Sequence, residues 1–182
     1  MNRKGFTLVE LLAVIVILGV IGGIATMGVL STINKSKEKS EAIFVDKLST
    51  LIEEYLDLSR GDLAYKDTAT YTFNKCEDST CTNSYEATAK ELVKNDANDV
   101  TIQDLVTSGL INKEDLVNPK NKEKCFDHSG ENYNIRVFRD DEYVYYYYVD
   151  LSNSNCELSE DNSIINTLPD SLKTEVGLSW KE

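Results

Sequence analysis

The stretch that most constrains this chain runs from Leu11 to Leu30, twenty residues without a charge and mostly apolar. Arg3 and Lys4 precede it, and charge returns densely at Lys35, Lys37, Glu38 and Lys39. As a helix, about 20 such residues cross about 30 Å of hydrocarbon. Bases before the run and an acidic bulk after it predict an anchor that leaves the long C-terminal part outside. One residue breaks the pattern. Glu10 stands at the head of the run, where an unpaired carboxylate at membrane depth costs about 2.5 kcal/mol or more. Such a residue is read as functional with a partner to be named; the plainer reading leaves it at the interface, in reach of water, six residues after Lys4.

The residues around it, Lys4-Gly5-Phe6-Thr7-Leu8-Val9-Glu10-Leu11-Leu12, resemble the class III signal of type IV pilins and pseudopilins. The resemblance implies that a prepilin peptidase cuts after Gly5 and methylates the new amine of Phe6. It implies that Glu10 then pairs with the N-terminal ammonium of a neighbouring subunit during fibre assembly. It also implies a pilin-like α+β fold, with a long N-terminal helix packed on a small antiparallel β-sheet head. The physics supports the pairing. Cleavage frees an ammonium four residues from Glu10, and packed helices exclude water, so wrong staggers leave a buried charge alone.

The chain has 182 residues and a formal net charge of −12. Arg3, Lys4 and Glu10 give the segment to Ile33 a charge of +1, so the remainder carries −13. About 150 residues beyond the anchor suffice for one modest domain. The acidic balance argues against direct nucleic-acid binding, which needs Lys and Arg on phosphates. Four cysteines, Cys76, Cys81, Cys125 and Cys156, form an even set in an exported domain and favour disulfides. Of three possible pairings, Cys76–Cys81 with Cys125–Cys156 is preferred. A zinc site lacks paired C-x-x-C motifs and has a single histidine to draw on; free thiols are the duller alternative.

Taken in order, residues 1–5 read as a leader and 6–33 as the membrane and assembly half of a long helix. Gly19, Gly22, Gly23 and Gly28 punctuate that half; glycines let membrane helices pack closely. Residues 34–60 continue as its amphipathic half, with Phe44, Leu48, Leu51, Ile52, Tyr55 and Leu56 at helical spacing. The opposite face carries Lys39, Asp46, Lys47, Glu53 and Asp57, and Gly61 is expected near the C-cap. Residues 61–182 form the head. Ala69 to Phe73 reads as a short strand, Tyr85 to Lys94 as a helix, and Thr101 as the N-cap of a short helix ended by Gly109. Tyr133 to Phe138 and Tyr143 to Val149 read as an antiparallel hairpin. A short helix is expected after Pro169, and an apolar edge at Leu178 and Trp180.

No catalytic set emerges, so the chain is read as structural rather than enzymatic, with no cofactor. His128 is the only histidine, which argues against Ser-His and Cys-His arrangements. Asp140, Asp141 and Glu142, with Asp127 and Glu131, supply oxygens of the kind Ca²⁺ takes, and some pseudopilins bind calcium. The spacing fits no defined calcium loop, and a solvated acidic hairpin is preferred. Tyr145 to Tyr148 place phenols on both faces of a strand. A half-buried sheet margin is preferred over an aromatic platform for a glycan or surface partner.

The resemblance therefore implies a structural subunit of a type IV pilus-like filament. Its partners would be other pilins, the prepilin peptidase, the pilus assembly machinery and, before assembly, the membrane. The precursor would be a single-pass plasma (inner) membrane protein with its head outside, later part of a surface filament. A pseudopilin of type II secretion or of competence DNA uptake is the alternative within the class. A secreted or signal-anchored binding domain is the alternative outside it, for which Gly23-Ile24-Ala25 offers a conventional cut.

Overall fold

The computed structural model describes residues 7–66, 69–78, 80–122, 124–126, 133–152, 154–156, 158–159 and 162–178, apart from the side chains of 22 and 24–28. The first helix, α1, is Leu8–Leu58. The chain divides into two compact units, residues 1–40 and 41–182, which are described separately. In the first unit the described large apolar side chains of α1 are open to solvent, among them Leu8, Val9, Ile17, Leu18, Leu30 and Ile33. Among the described residues, no helix is long and apolar enough to cross a membrane.

In the second unit the remaining turns of α1 bury one stripe. Leu48, Ile52 and Leu56 are at most 1% exposed, and Tyr55 is buried beside them. This is the i, i+4, i+8 row of an amphipathic helix, and each such side chain contributes about 1.5–3 kcal/mol on burial. Phe44 and Leu51 are half-buried at the margin, while Asp46, Lys47, Glu53 and Asp57 face water, as Lys39 does in the first unit. Gly61 lies in the turn after the helix and is not left-handed, so it does not form the expected cap.

The strands are β1 (Leu63–Tyr65), β2 (Tyr71–Cys76), β3 (Ser84–Lys94), β4 (Val100–Thr101), β5 (Asn134–Asp140), β6 (Tyr145–Asp150) and β7 (Ile164–Asn166). The order is β1-β3-β5-β6-β7, with β2 beside β3 and β4 beside β5, and every pairing is antiparallel. The sheet is sealed on both faces. One core joins the α1 stripe to Leu92, Val137, Tyr147, Val149 and Ile165, with Ile102 and Leu105 of α2 (Ile102–Thr107). The other joins Phe73, Ala89, Phe138 and Tyr146 to Leu168 and to Leu172 of α3 (Asp170–Glu175). The structure is therefore the expected α+β type, a helix packed with a small antiparallel sheet.

Most local expectations hold; besides the Gly61 cap, one segment is corrected. Thr101 caps α2: its N–H and hydroxyl donate to Asp104 Oδ2 at 2.7 and 2.9 Å, and Gly109 takes the left-handed φ of +78° just beyond. The hairpin of β5 and β6 and the helix after Pro169 are present. Tyr85 to Lys94, expected as a helix, is β3. Ala89, Leu92 and Val93 do sit at helical spacing. Burial alternates from Ala87 to Lys90, but Leu92 and Val93 are buried side by side, which breaks the period of two. Three partner strands fix β3: β2 along its first half, β5 across its middle and β1 at its end. Trp180 lies outside the described residues.

Candidate assembly site

Helix α1 begins with a reciprocal box. Glu10 Oε2 accepts from the Thr7 N–H at 2.9 Å and from the Thr7 hydroxyl at 2.9 Å. The Glu10 N–H donates back to Thr7 Oγ1 at 3.3 Å. Thr7-x-x-Glu10 is a capping box, which satisfies N–H groups that the first helical turn leaves without partners. The Thr and Glu three residues apart before an apolar run are its signal in the sequence. Around the box, Leu8 is 81% and Val9 73% exposed. In a single copy the carboxylate thus holds the helix start inside an open apolar surface. Gly5 and Phe6 lie outside the described residues.

The second unit contains two ion pairs of a different kind, both on buried carboxylates. Glu41 is fully buried, with Lys120 Nζ at 2.5 Å and the Ser159 hydroxyl donating at 2.8 Å. Burial pushes its carboxyl up, but the Lys120 ammonium and the Ser159 donors outweigh that and hold it below the usual carboxylate range. The signal in the sequence was position: Glu41 lies seven residues before Leu48, on the buried stripe itself.

Asp140, with a side chain 1% exposed, ends β5. It accepts from Lys75 Nζ at 2.8 Å, from the Tyr146 hydroxyl at 2.9 Å and from the Glu142 and Val144 N–H groups. Burial raises its pKa, but Lys75, the Val144 N–H and the Tyr146 hydroxyl together bring it below normal. Lys75 also reaches Glu142 at 2.6 Å, and these two acids hold the ammonium well above its ordinary pKa despite burial.

At the acidic hairpin, the described carboxylates of the candidate calcium set all have protein partners. Asp140 and Glu142 converge on a lysine, and Asp141 accepts from the Thr88 hydroxyl at 2.7 Å. The oxygens are engaged by protein donors rather than aimed at a common point. Among the described residues, no group of three metal-ligating side chains gathers. Asp127, His128 and Glu131 lie outside the described residues.

The four cysteines form two disulfides, Cys76–Cys81 closing the β2–β3 connection and Cys125–Cys156 in the core. The tyrosine run divides by face. Tyr147 is buried against α1, bonded to the Ser49 hydroxyl and donating to Glu53 Oε1 at 3.1 Å. Tyr146 is buried on the opposite face, edge-on to Phe73. Burial pushes both phenols up to about 12. These two are core residues, not a platform.

Residues 1–26 match the family model of the prokaryotic N-terminal methylation motif. No curated protein and no solved structure matches the chain significantly. The chain thus carries the class III signal of type IV pilins over its first 26 residues, and the motif supports a pilin- or pseudopilin-like precursor. The head has no counterpart in that match.

Proposed function

We propose that this chain is a structural subunit of a type IV pilus-like filament. The observation that carries the proposal is the methylation motif at residues 1–26, joined to an open apolar helix surface with one carboxylate at its start. In this reading residues 1–5 are the leader, and 6–33 hold the precursor in the membrane with the head outside. The peptidase cuts between Gly5 and Phe6 and methylates Phe6. Residues 34–60 carry the helix into the head formed by 61–182.

The Thr7–Glu10 box gives maturation a physical handle. Before cleavage Glu10 accepts hydrogen bonds from the uncharged donors of Thr7. Cleavage places a cationic amine one residue from Thr7, and an ammonium donor adds a charge–charge attraction that those donors lack. In the fibre, the Phe6 ammonium of a neighbouring copy engages Glu10, and the apolar helix surface exchanges lipid for helix contacts. Such heterologous contacts do not close, which is what a filament needs.

Mass spectrometry of the mature N-terminus from the native host tests this. A chain starting at N-methylated Phe6 is expected. A chain starting after Ala25, or retaining Met1, refutes the filament reading and leaves a secreted or anchored head.

A further inference from the structure

The head carries a second surface that the filament reading does not use. Lys90, Arg139 and Tyr145 lie side by side across β3, β5 and β6, register partners on one face of the sheet. Arg139 is ringed by tyrosines. Its guanidinium carbon lies 5.1 Å from the Tyr65 ring centre, 5.3 Å from Tyr143 and 5.9 Å from Tyr145. It donates to the Tyr65 hydroxyl at 2.7 Å, while its buried Nε has no hydrogen-bond partner among the described residues. Lys90 stands 5.2 Å over the Tyr65 ring, and Arg60 lies 6.0 Å from the Tyr145 ring.

Two facts mark this patch. In a chain with 31 acidic residues against 19 basic ones, neither Arg139 nor Lys90 pairs with a carboxylate among the described residues, and the two are neighbours in register on one face. Lys47, Lys113, Lys122 and Lys124 are also without an ion pair but have no ring stacked on them among the described residues. The second fact is Tyr143. It occupies the left-handed region at φ +65° in the β5–β6 turn and is 71% exposed. Asp140 Oδ1 clamps that turn through the Glu142 and Val144 N–H groups. Glycine fills such a position freely, whereas a bulky side chain there is strained. The chain nevertheless places a tyrosine there, with its ring held over Arg139.

The geometry points to a binding site for an acidic saccharide, a sugar chain bearing carboxylates. The exposed Tyr65 and Tyr143 rings offer flat apolar faces with a polar tip, suited to the C–H face of a sugar ring. Arg139 and Lys90 offer cationic donors to hydroxyls and to a carboxylate. Charge selects the ligand: among the described residues the two cations have no anionic partner. A protein side chain is the poorer fit, because protein hot spots are fully desolvated pockets and this surface is open at Tyr65, Tyr143 and Val144. The site stands whether or not the chain enters a fibre.

The test uses the full chain in polyoxyethylene micelles, which carry no sugar, titrated calorimetrically with a galacturonate hexamer. Saturable binding is expected, weakened at least tenfold in Arg139→Gln and in Tyr143→Gly, and weakened by added salt. Neutral maltohexaose should give no heat. Tyr143→Gly should also raise the melting temperature by about 3 °C, because it relieves the turn, and this separates lost binding from lost folding. Lys90→Gln, further from the buried Nε, serves if Arg139→Gln fails to fold. No binding of the hexamer, or unchanged binding in Tyr143→Gly and Lys90→Gln, overturns the site. Equal binding of polyglutamate overturns the saccharide assignment. Self-association of the wild-type head that Tyr143→Gly abolishes, without hexamer binding, makes the patch a contact between copies and overturns it as well.

Discussion

Replacing Lys120 by Met isolates the buried pair with Glu41. Glu41 is fully buried and Lys120 keeps 29% of its side chain in water. The two deletions are therefore unequal. Lys120→Met strands a buried carboxylate, which costs about 3–5 kcal/mol when a buried pair is broken. The Ser159 and Asn162 donors remain and place the loss at the low end, about 3 kcal/mol. Glu41→Gln leaves a lysine that can turn to solvent and an amide that still accepts from Ser159, a loss of about 1 kcal/mol. Exchanging both for Met should cost less than Lys120→Met alone. For a unit of this size, 3 kcal/mol lowers the melting temperature by about 10 °C. Near-ultraviolet circular dichroism reads this unit alone, since all ten tyrosines lie between Tyr55 and Tyr148.

The loss should also depend on pH. In the wild type Glu41 is depressed, so its contribution is present above the unfolded carboxylate pKa and fades as pH falls through the folded value. Without Lys120 burial dominates, the folded pKa rises above the unfolded one, and the carboxyl takes up a proton. The deficit of Lys120→Met should then be smaller at pH 5 than at pH 8. A loss under 1 kcal/mol, or Glu41→Gln proving worse than Lys120→Met, refutes the reasoning.

Three further outcomes are expected. Asp140 is held below its ordinary pKa, so the stability it lends is complete above about pH 4 and is lost as pH falls through its depressed value. Asp140→Asn should flatten the acid limb of the stability curve measured by urea melts between pH 5 and pH 2. Brief treatment with limiting reductant, then alkylation and peptide mapping, should label the exposed Cys76 and Cys81 before Cys125 and Cys156, which are fully buried. Glu10→Gln keeps an acceptor for Thr7 but no charge for an ammonium. Its precursor should be processed normally yet enter sheared filaments at a small fraction of the wild-type level, and wild-type incorporation on immunoblots would contradict the pairing.

Legibility in the sequence followed the physics of each signal. The α1 stripe of Leu48, Ile52 and Leu56 was plain because helix period and one-sided burial coincide. The β5–β6 hairpin was plain because its β-branched and aromatic residues are dense. β3 was not, because Leu92 and Val93 side by side break the alternation and its Ala, Leu, Glu and Lys residues are good helix formers; long-range pairing with β1, β2 and β5 overrides that preference. β1 and β7, three residues each, are too short to show a period. At the candidate assembly site, Glu10 stood out by its charge, but its Thr7 partner did not. The partners of Glu41, Asp140 and Arg139 lie 79, 65 and 74 residues away in the chain, and no local pattern carries such distances.

The margins of the sheet bear on a different hazard. A protein proposed to gather in fibres through a helix must not also gather through its strands. A long, bare strand edge is a template for amyloid-like pairing. Here β1 and β7 offer only three residues each. Along β2 the Ser171 hydroxyl of α3 occupies the Asn74 carbonyl at 2.8 Å, and the Cys76–Cys81 bridge closes the strand's end. Crowded copies of this head therefore find little backbone to zip together. Order in an assembly is left to the N-terminal helix, so truncating α3 should turn a soluble head into an aggregating one.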